Sequence, residues 1–179
     1  MTETYKLVLR KLEEKDIDDL IESGNDYDVH YNTFFLMKYP FGKKEAIEVI
    51  NEDKNSKNME RFGIELLENK KLIGIIDLYN INLKNKKLKW GCWIGKKYRR
   101  KGYADEATKK IIKYAFEKYA VDEIIATTLI SNEASMNMLL KNNFVKGKIL
   151  KNDRLLDGKY VDSVQFVLKR EDYFKNKQT

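Results

Sequence analysis

At 179 residues and 21.2 kDa, the chain is about the length of one domain, and 42% hydrophobic with 12% aromatic residues is enough for a core, which excludes disorder. A lone cysteine, Cys92, excludes an internal disulfide framework and a cysteine-based zinc site, and a lone histidine, His30, nearly excludes a histidine-rich metal site or a Ser-His-Asp triad, so no metal is expected. The net charge of +7 is unevenly laid out: Lys84–Lys101 carries only basic charges, whereas Glu13–Asp28 is acidic apart from Lys15.

Leu7–Leu9 predicts a first strand, followed by Arg10 and Lys11. Asp16 is placed to cap a short amphipathic helix through Ile17, Leu20 and Ile21, which Gly24-Asn25-Asp26 ends. After an aromatic loop around Pro40, the residues Ala46, Ile47 and Ile50 fall on one face of a second helix, Lys43–Glu52. Phe62–Leu67 and Leu72–Ile81 read as a hairpin, with Leu88–Ile94 as the next strand. The apolar period then becomes helical from Gly102 to Tyr119, through Ala104, Ala107, Ile111 and Ala115. Ile124–Ile130 reads as a buried strand, Asn132–Lys141 as a helix, and Phe144–Leu150 and Tyr160–Leu168 as strands joined around Asp157-Gly158. The order β-α-α-β-β-β-α-β-α-β-β, without repeat or linker, predicts one mixed α/β domain over residues 1–179 on a single twisted sheet. No run approaches the roughly 20 apolar residues of a membrane span, and the start lacks a signal-peptide block, so a cytoplasmic location is expected.

The informative junction is Trp90-Gly-Cys-Trp-Ile-Gly95 followed by the basic stretch Lys96–Lys101 and the helix opening at Gly102. The first amides of a helix lack intrahelical partners and its dipole places partial positive charge there, so this start suits a phosphate, with Gly102 letting it approach the backbone. Arg99-Arg-Lys-Gly102-Tyr-Ala104 resembles Gln/Arg-x-x-Gly-x-Gly/Ala, the acetyl-CoA pyrophosphate loop of the GNAT N-acetyltransferase superfamily. Gly102-Tyr-Ala-Asp-Glu-Ala107, Tyr114-Ala-Phe116, Asn132-Glu-Ala-Ser135, Asn143-Phe144 and the opening Leu7-Val-Leu-Arg10 with Asp16 are similar, in order, to motifs of the branch containing ribosomal-protein N-terminal and spermidine acetyltransferases.

The resemblance implies a mostly antiparallel sheet flanked by helices and acetyl-CoA-dependent transfer to a primary amine by direct attack in a ternary complex. It implies that the backbone of Arg100, Lys101, Gly102, Tyr103 and Ala104 cradles the pyrophosphate with help from Arg99. Trp93 and Ile94 would pair with the pantetheine arm, Asn132 would bond its amide region, and Ser135 would protonate the departing thiolate. The acidic segment would flank an acceptor that is a protein N-terminus, a polyamine or another amine. Homodimers are common among such relatives. The chain departs from the pattern at three positions: Arg100 replaces a common glycine, Lys89 stands where a glutamate base is frequent, and Leu139 replaces the usual acid tyrosine. Asp77, an acid in the apolar strand Gly74-Ile-Ile-Asp-Leu-Tyr79, is the candidate surrogate base, and Glu65 a weaker one. Cys92 reads as a small buried strand thiol, and His30 as part of the substrate-side loop or of simple packing. Two rival readings stand beside this one: an acyl-CoA-binding module without catalysis, and a nucleic-acid-binding domain using the Lys84–Lys101 patch, which has no accompanying recognition motif.

Overall fold

The computed structural model describes residues 6–34 and 36–175, so the ends of the expected 1–179 domain lie outside the described residues. Strands β1 (Leu7–Arg10), β2 (Met59–Leu66), β3 (Leu72–Asn82), β4 (Lys87–Ile94), β5 (Glu123–Leu129), β6 (Val145–Leu156) and β7 (Lys159–Lys169) form one sheet in the order β1-β2-β3-β4-β5-β7-β6. Neighbouring strands are antiparallel except β4 and β5, which run parallel. The mixed α/β fold expected from the sequence is therefore present.

Among the described residues, six α-helices accompany the sheet: α1 (Ile17–Gly24), α2 (Tyr27–Asn32), α3 (Lys43–Asn55), α4 (Tyr103–Lys118), α5 (Glu133–Lys141) and α6 (Arg170–Lys175). Neither α2 nor α6 is expected from the sequence. Residues Gly24-Asn25-Asp26 do stop α1, but Asp26 also caps α2 by accepting from the Asp28 amide at 3.0 Å. A stop and a start share the same polar residues. Asp16 occupies the cap position of α1, yet its carboxylate accepts from the Glu13 amide and pairs with Arg10 instead of capping the helix. Strand β6 continues beyond Leu150 because Arg154–Leu156 pair with Lys159–Val161, charged side chains notwithstanding. Asp157 and Gly158, at φ 50° and 72°, make the tight turn between them.

The sheet separates two apolar layers. On one face, Ala107, Ile111, Ala115 and Phe116 of α4 pack with Leu139 and the inner strand residues Ile76, Leu78, Leu88 and Trp90. On the other, Leu20 and the α3 residues Ala46, Val49 and Ile50 cover Leu72 and Ile75, with Trp93 at the margin. Burying each of the larger of these side chains contributes about 1.5–3 kcal/mol. These layers fix the start of α4 on one face and the α1–α2 segment on the other.

The parallel pair opens between them. Strands β4 and β5 pair from Lys87–Glu123 to Trp90–Ala126 and then part, β5 continuing to pair with β7. Gly91–Ile94 therefore keep β3 on one side and face a wedge on the other.

Candidate active site

The wedge widens towards the start of α4. Gly102, at φ 84°, is the residue before that helix, and a Cβ built on it would meet nothing within 4 Å. Its left-handed backbone, and not crowding, is what calls for glycine there. Among the described residues, the amides of Lys101 to Asp105 meet no protein acceptor, the first helical bond being Glu106 N–H to the Gly102 carbonyl. The acids of this first turn are committed elsewhere: Glu106 accepts from the Lys6 and Leu7 amides, and Asp105 from Lys141 and Asn142. Open amides, open space and no competing carboxylate fit a diphosphate.

The side chains of the loop divide. Arg100 and Lys101 are exposed and carry no ion pair among the described residues. Arg100 adopts φ 61°, the left-handed conformation that suits the glycine it replaces. Arg99, expected to reach the phosphates, is held elsewhere. Its Nε donates to the Ile94 carbonyl at 3.0 Å, and its other nitrogens pair with Asp26 at 2.6 Å and Asp28 at 3.3 Å. It ties the loop to α2.

Register decides which β4 amides face the wedge. Gly95 N–H donates to Ile73, so Trp93, two residues back and opposite Ile75, also directs its backbone towards β3. Alternation turns Cys92 and Ile94 the other way, and the Arg99 bond to the Ile94 carbonyl agrees with that direction. The backbone of Ile94 and Cys92 is thus open to the wedge, while that of Trp93, also expected to make the strand contact, is turned to β3. Trp93 is a wall residue whose ring lies against Gly24. Identifying the outward amides requires the pairing partner, which no residue type announces.

At the start of α5, the Asn132 Oδ1 accepts from the Ser135 amide at 3.1 Å, leaving the Asn132 Nδ2 to donate. Ser135 is half-buried in the first turn. Leu139, where relatives often carry an acid tyrosine, is a fully buried core residue.

On the opposite face, the expected surrogate base is not a lone acid. Arg61, only 8% exposed, grips Asp77 with a two-nitrogen fork at 2.9 Å and also holds Glu52 and the Val49 carbonyl. Glu65 accepts from Arg10 Nε at 2.5 Å, the other two nitrogens of that guanidinium going to Asp16. In the acidic segment, Glu22 meets Lys71 at 2.8 Å and Lys97 at 2.7 Å, and Asp19 meets Lys71. Hydrogen bonds from these lysines hold the Glu22 carboxyl down at about 2. Lys89 lies beside Tyr79 across the strand pair and has no ion pair among the described residues. The tip of the β6–β7 hairpin reaches this face, where Tyr27 donates to Asp157 and the Arg154 guanidinium sits 5.2 Å from the Phe34 ring. Half-buried Cys92 has its thiol pushed up, first by burial and then by the Asp77 charge, which opposes a nucleophilic role. The His30 Nδ1 hydrogen-bonds with the Met37 carbonyl at 2.5 Å.

The described residues contain no group of three or more metal-ligating His, Cys, Asp or Glu side chains, and no helix long and apolar enough to cross a membrane. A split parallel pair beside an open, basic helix start defines an acyltransferase. The profile described as "Acetyltransferase (GNAT) domain" matches residues 6–145, and the chain belongs to that family; it is an N-acetyltransferase. It is 28% identical over 174 residues to the uncharacterized N-acetyltransferase p20 of Bacillus licheniformis, covering 95% of this chain and 96% of that one. The [ribosomal protein uS5]-alanine N-acetyltransferase of Escherichia coli is 27% identical, over 75% of this chain and 70% of its own length. Among solved structures, the spermidine N-acetyltransferase of Vibrio cholerae in complex with CoA and spermine shares the fold, with a TM-score of 0.83 at 22% identity over 94% of this chain and 98% of that one.

Proposed function

We propose that the protein moves the acetyl group of acetyl-CoA to an α-amine, as at a protein N-terminus, by direct attack within a ternary complex. The observation that carries the acetyl-CoA reading is the row of unpartnered amides from Lys101 to Asp105 beside the open space at Gly102. The amides of Lys101–Ala104 and the side chains of Arg100 and Lys101 would hold the diphosphate. The outward amides of Cys92 and Ile94 would pair with the arm, and Asn132 and Ser135 would flank it from α5. Acetyl-CoA supplies the activated acetyl group. An N–H aimed at the oxygen that becomes negative during attack is worth roughly 3 kcal/mol, and Cys92 N–H, near the closed end of the wedge, is the donor we assign.

The charges on the acceptor face support an α-amine over a polyamine. A polycation needs free carboxylates, whereas Asp19, Glu22, Asp26, Asp28 and Asp77 are all paired and Lys89 adds a cation. An α-amine near pKa about 8 also sheds its proton more easily than an alkylamine near about 10.4, so it depends less on the glutamate that Lys89 replaces. We assign Asp77 to anchoring Arg61. Asp77→Asn is expected to lower the melting temperature while leaving the pH profile of kcat in place, and a profile losing its acidic limb would make Asp77 the base. The reading as a whole is tested by thiol release from acetyl-CoA with N-terminal peptides, polyamines and aminoglycosides. Release with peptides alone supports it. Release with polyamines alone refutes the acceptor assignment, and CoA binding without release to any amine would leave a binding module.

A further inference from the structure

Two hydroxyls stand at opposite ends of the wedge. Ser135 lies just beyond the C-terminal end of β5, where the strands have parted, whereas Tyr79 on β3 lies where they meet. A Cβ on Gly91, the first β4 residue past the last β4–β5 pair, would come within 3.4 Å of the Tyr79 Cε1, so the ring covers the closed end of the wedge. The sheet shifts register between Tyr79 and Asn82, with Asn80 at φ 50°, an irregularity that re-aims neighbouring side chains. Tyr79 is half-buried, and its hydroxyl has no hydrogen-bond partner among the described residues. The charged groups near it are Asp77 on β3, held by Arg61 of β2, Lys89 opposite it on β4, and Arg154 of β6.

We propose, resting on the function above, that Tyr79 donates the proton taken by the departing thiolate. An arm entering from the start of α4 and lying along Ile94 and Cys92 ends where the wedge closes, beside Gly91 and the Tyr79 ring. The free amine attacks the thioester carbonyl; as the C–S bond breaks, the electron pair goes to sulfur and the Tyr79 Oη proton follows it. The phenolate then takes the proton that the new amide nitrogen must lose, restoring the phenol and leaving the free thiol and the acetylated amine. A phenol suits this step better than a serine, being a far stronger acid and closer to a thiol in pKa. Burial and the Asp77 charge raise the Tyr79 pKa above its ordinary value, so the proton stays in place across neutral pH.

The test compares wild type, Tyr79→Phe and Ser135→Ala, using acetyl-CoA turnover and calorimetric binding of CoA and of desulfo-CoA, which lacks the thiol. Tyr79→Phe removes one oxygen, and its melting temperature reports that the fold is kept. Expected are a fall in kcat of about a hundredfold with KM for acetyl-CoA unchanged, and a smaller fall for Ser135→Ala. Wild type should prefer CoA over desulfo-CoA by about fivefold, the worth of one hydrogen bond, and Tyr79→Phe should erase that preference. A Tyr79→Phe enzyme with wild-type kcat, or with the preference intact, overturns the proposal while the acetyltransferase reading stands. A wild type that neither binds CoA nor releases thiol overturns that reading itself.

Discussion

In the cofactor loop, consecutive residues supply everything that matters: open amides from Lys101 onward, the left-handed Gly102, and two exposed cations. On the acceptor face, no two partners are neighbours in sequence. Asp77 is held by Arg61, Glu22 by Lys71 and Lys97, Asp26 by Arg99, and Tyr27 by Asp157. The first region is a local backbone conformation and works through unpaired groups. The second is a long-range charge network whose polarity is largely spent inside the molecule. Changes in the loop should therefore strike binding, and changes on the face should strike stability first.

The sharpest test of that division is Arg61→Ala. It strands Asp77 beside the sheet, and breaking a buried pair costs about 3–5 kcal/mol, read as a lower denaturation midpoint. A variant of wild-type stability would remove the contrast. Gly102→Glu should weaken CoA binding by about a hundredfold, through phosphate repulsion and a side chain forced into the left-handed region, with a much smaller effect on melting. Normal binding by this variant would show that the loop is not the diphosphate site.

Acid should loosen the face before the loop. Burial pushes the Asp16 carboxyl up, but hydrogen bonds from Arg10 and the Glu13 amide outweigh it and hold the group below its ordinary 3.8. Glu22 is held at about 2 against an ordinary 4.5. Depressed folded values mean stability that is fully present above pH 4.5 and lost as pH falls towards 2, seen as a declining melting temperature. Salt should blunt the Glu22 part, since its side chain is 37% exposed.

Arg99→Ala joins the two regions. It should cost about 1 kcal/mol or less, since the Arg99 side chain is partly solvated, and raise KM for acetyl-CoA severalfold by freeing the loop from Asp26. The smallest effect is expected at Arg100→Gly. Relieving the φ of 61° offsets the entropy glycine adds to the unfolded chain, for a gain of about 0.5 kcal/mol, while the lost charge weakens CoA binding a few-fold. A destabilised Arg100→Gly chain would mean that Arg100 makes contacts outweighing its strain.

Strands and helices with clean periodicity were legible from the residues, as was the Asp157-Gly158 turn. The missed elements share a cause. Residues Tyr27–Asn32 are too few for a visible period, and Lys151–Arg154 look like loop because the run is wholly polar and lies on an edge strand.

What residues alone determined is the chemistry that needs only neighbours: a glycine before a helix, basic side chains around it and the apolar period behind it, because helix ends and turns are set by local backbone energetics. Which charges are left free, which β4 amides look into the wedge and which hydroxyl covers its closed end were decided by the tertiary structure. Those outcomes depend on strand register and on side chains brought together from distant positions, and register changes by one residue would reverse every one of them.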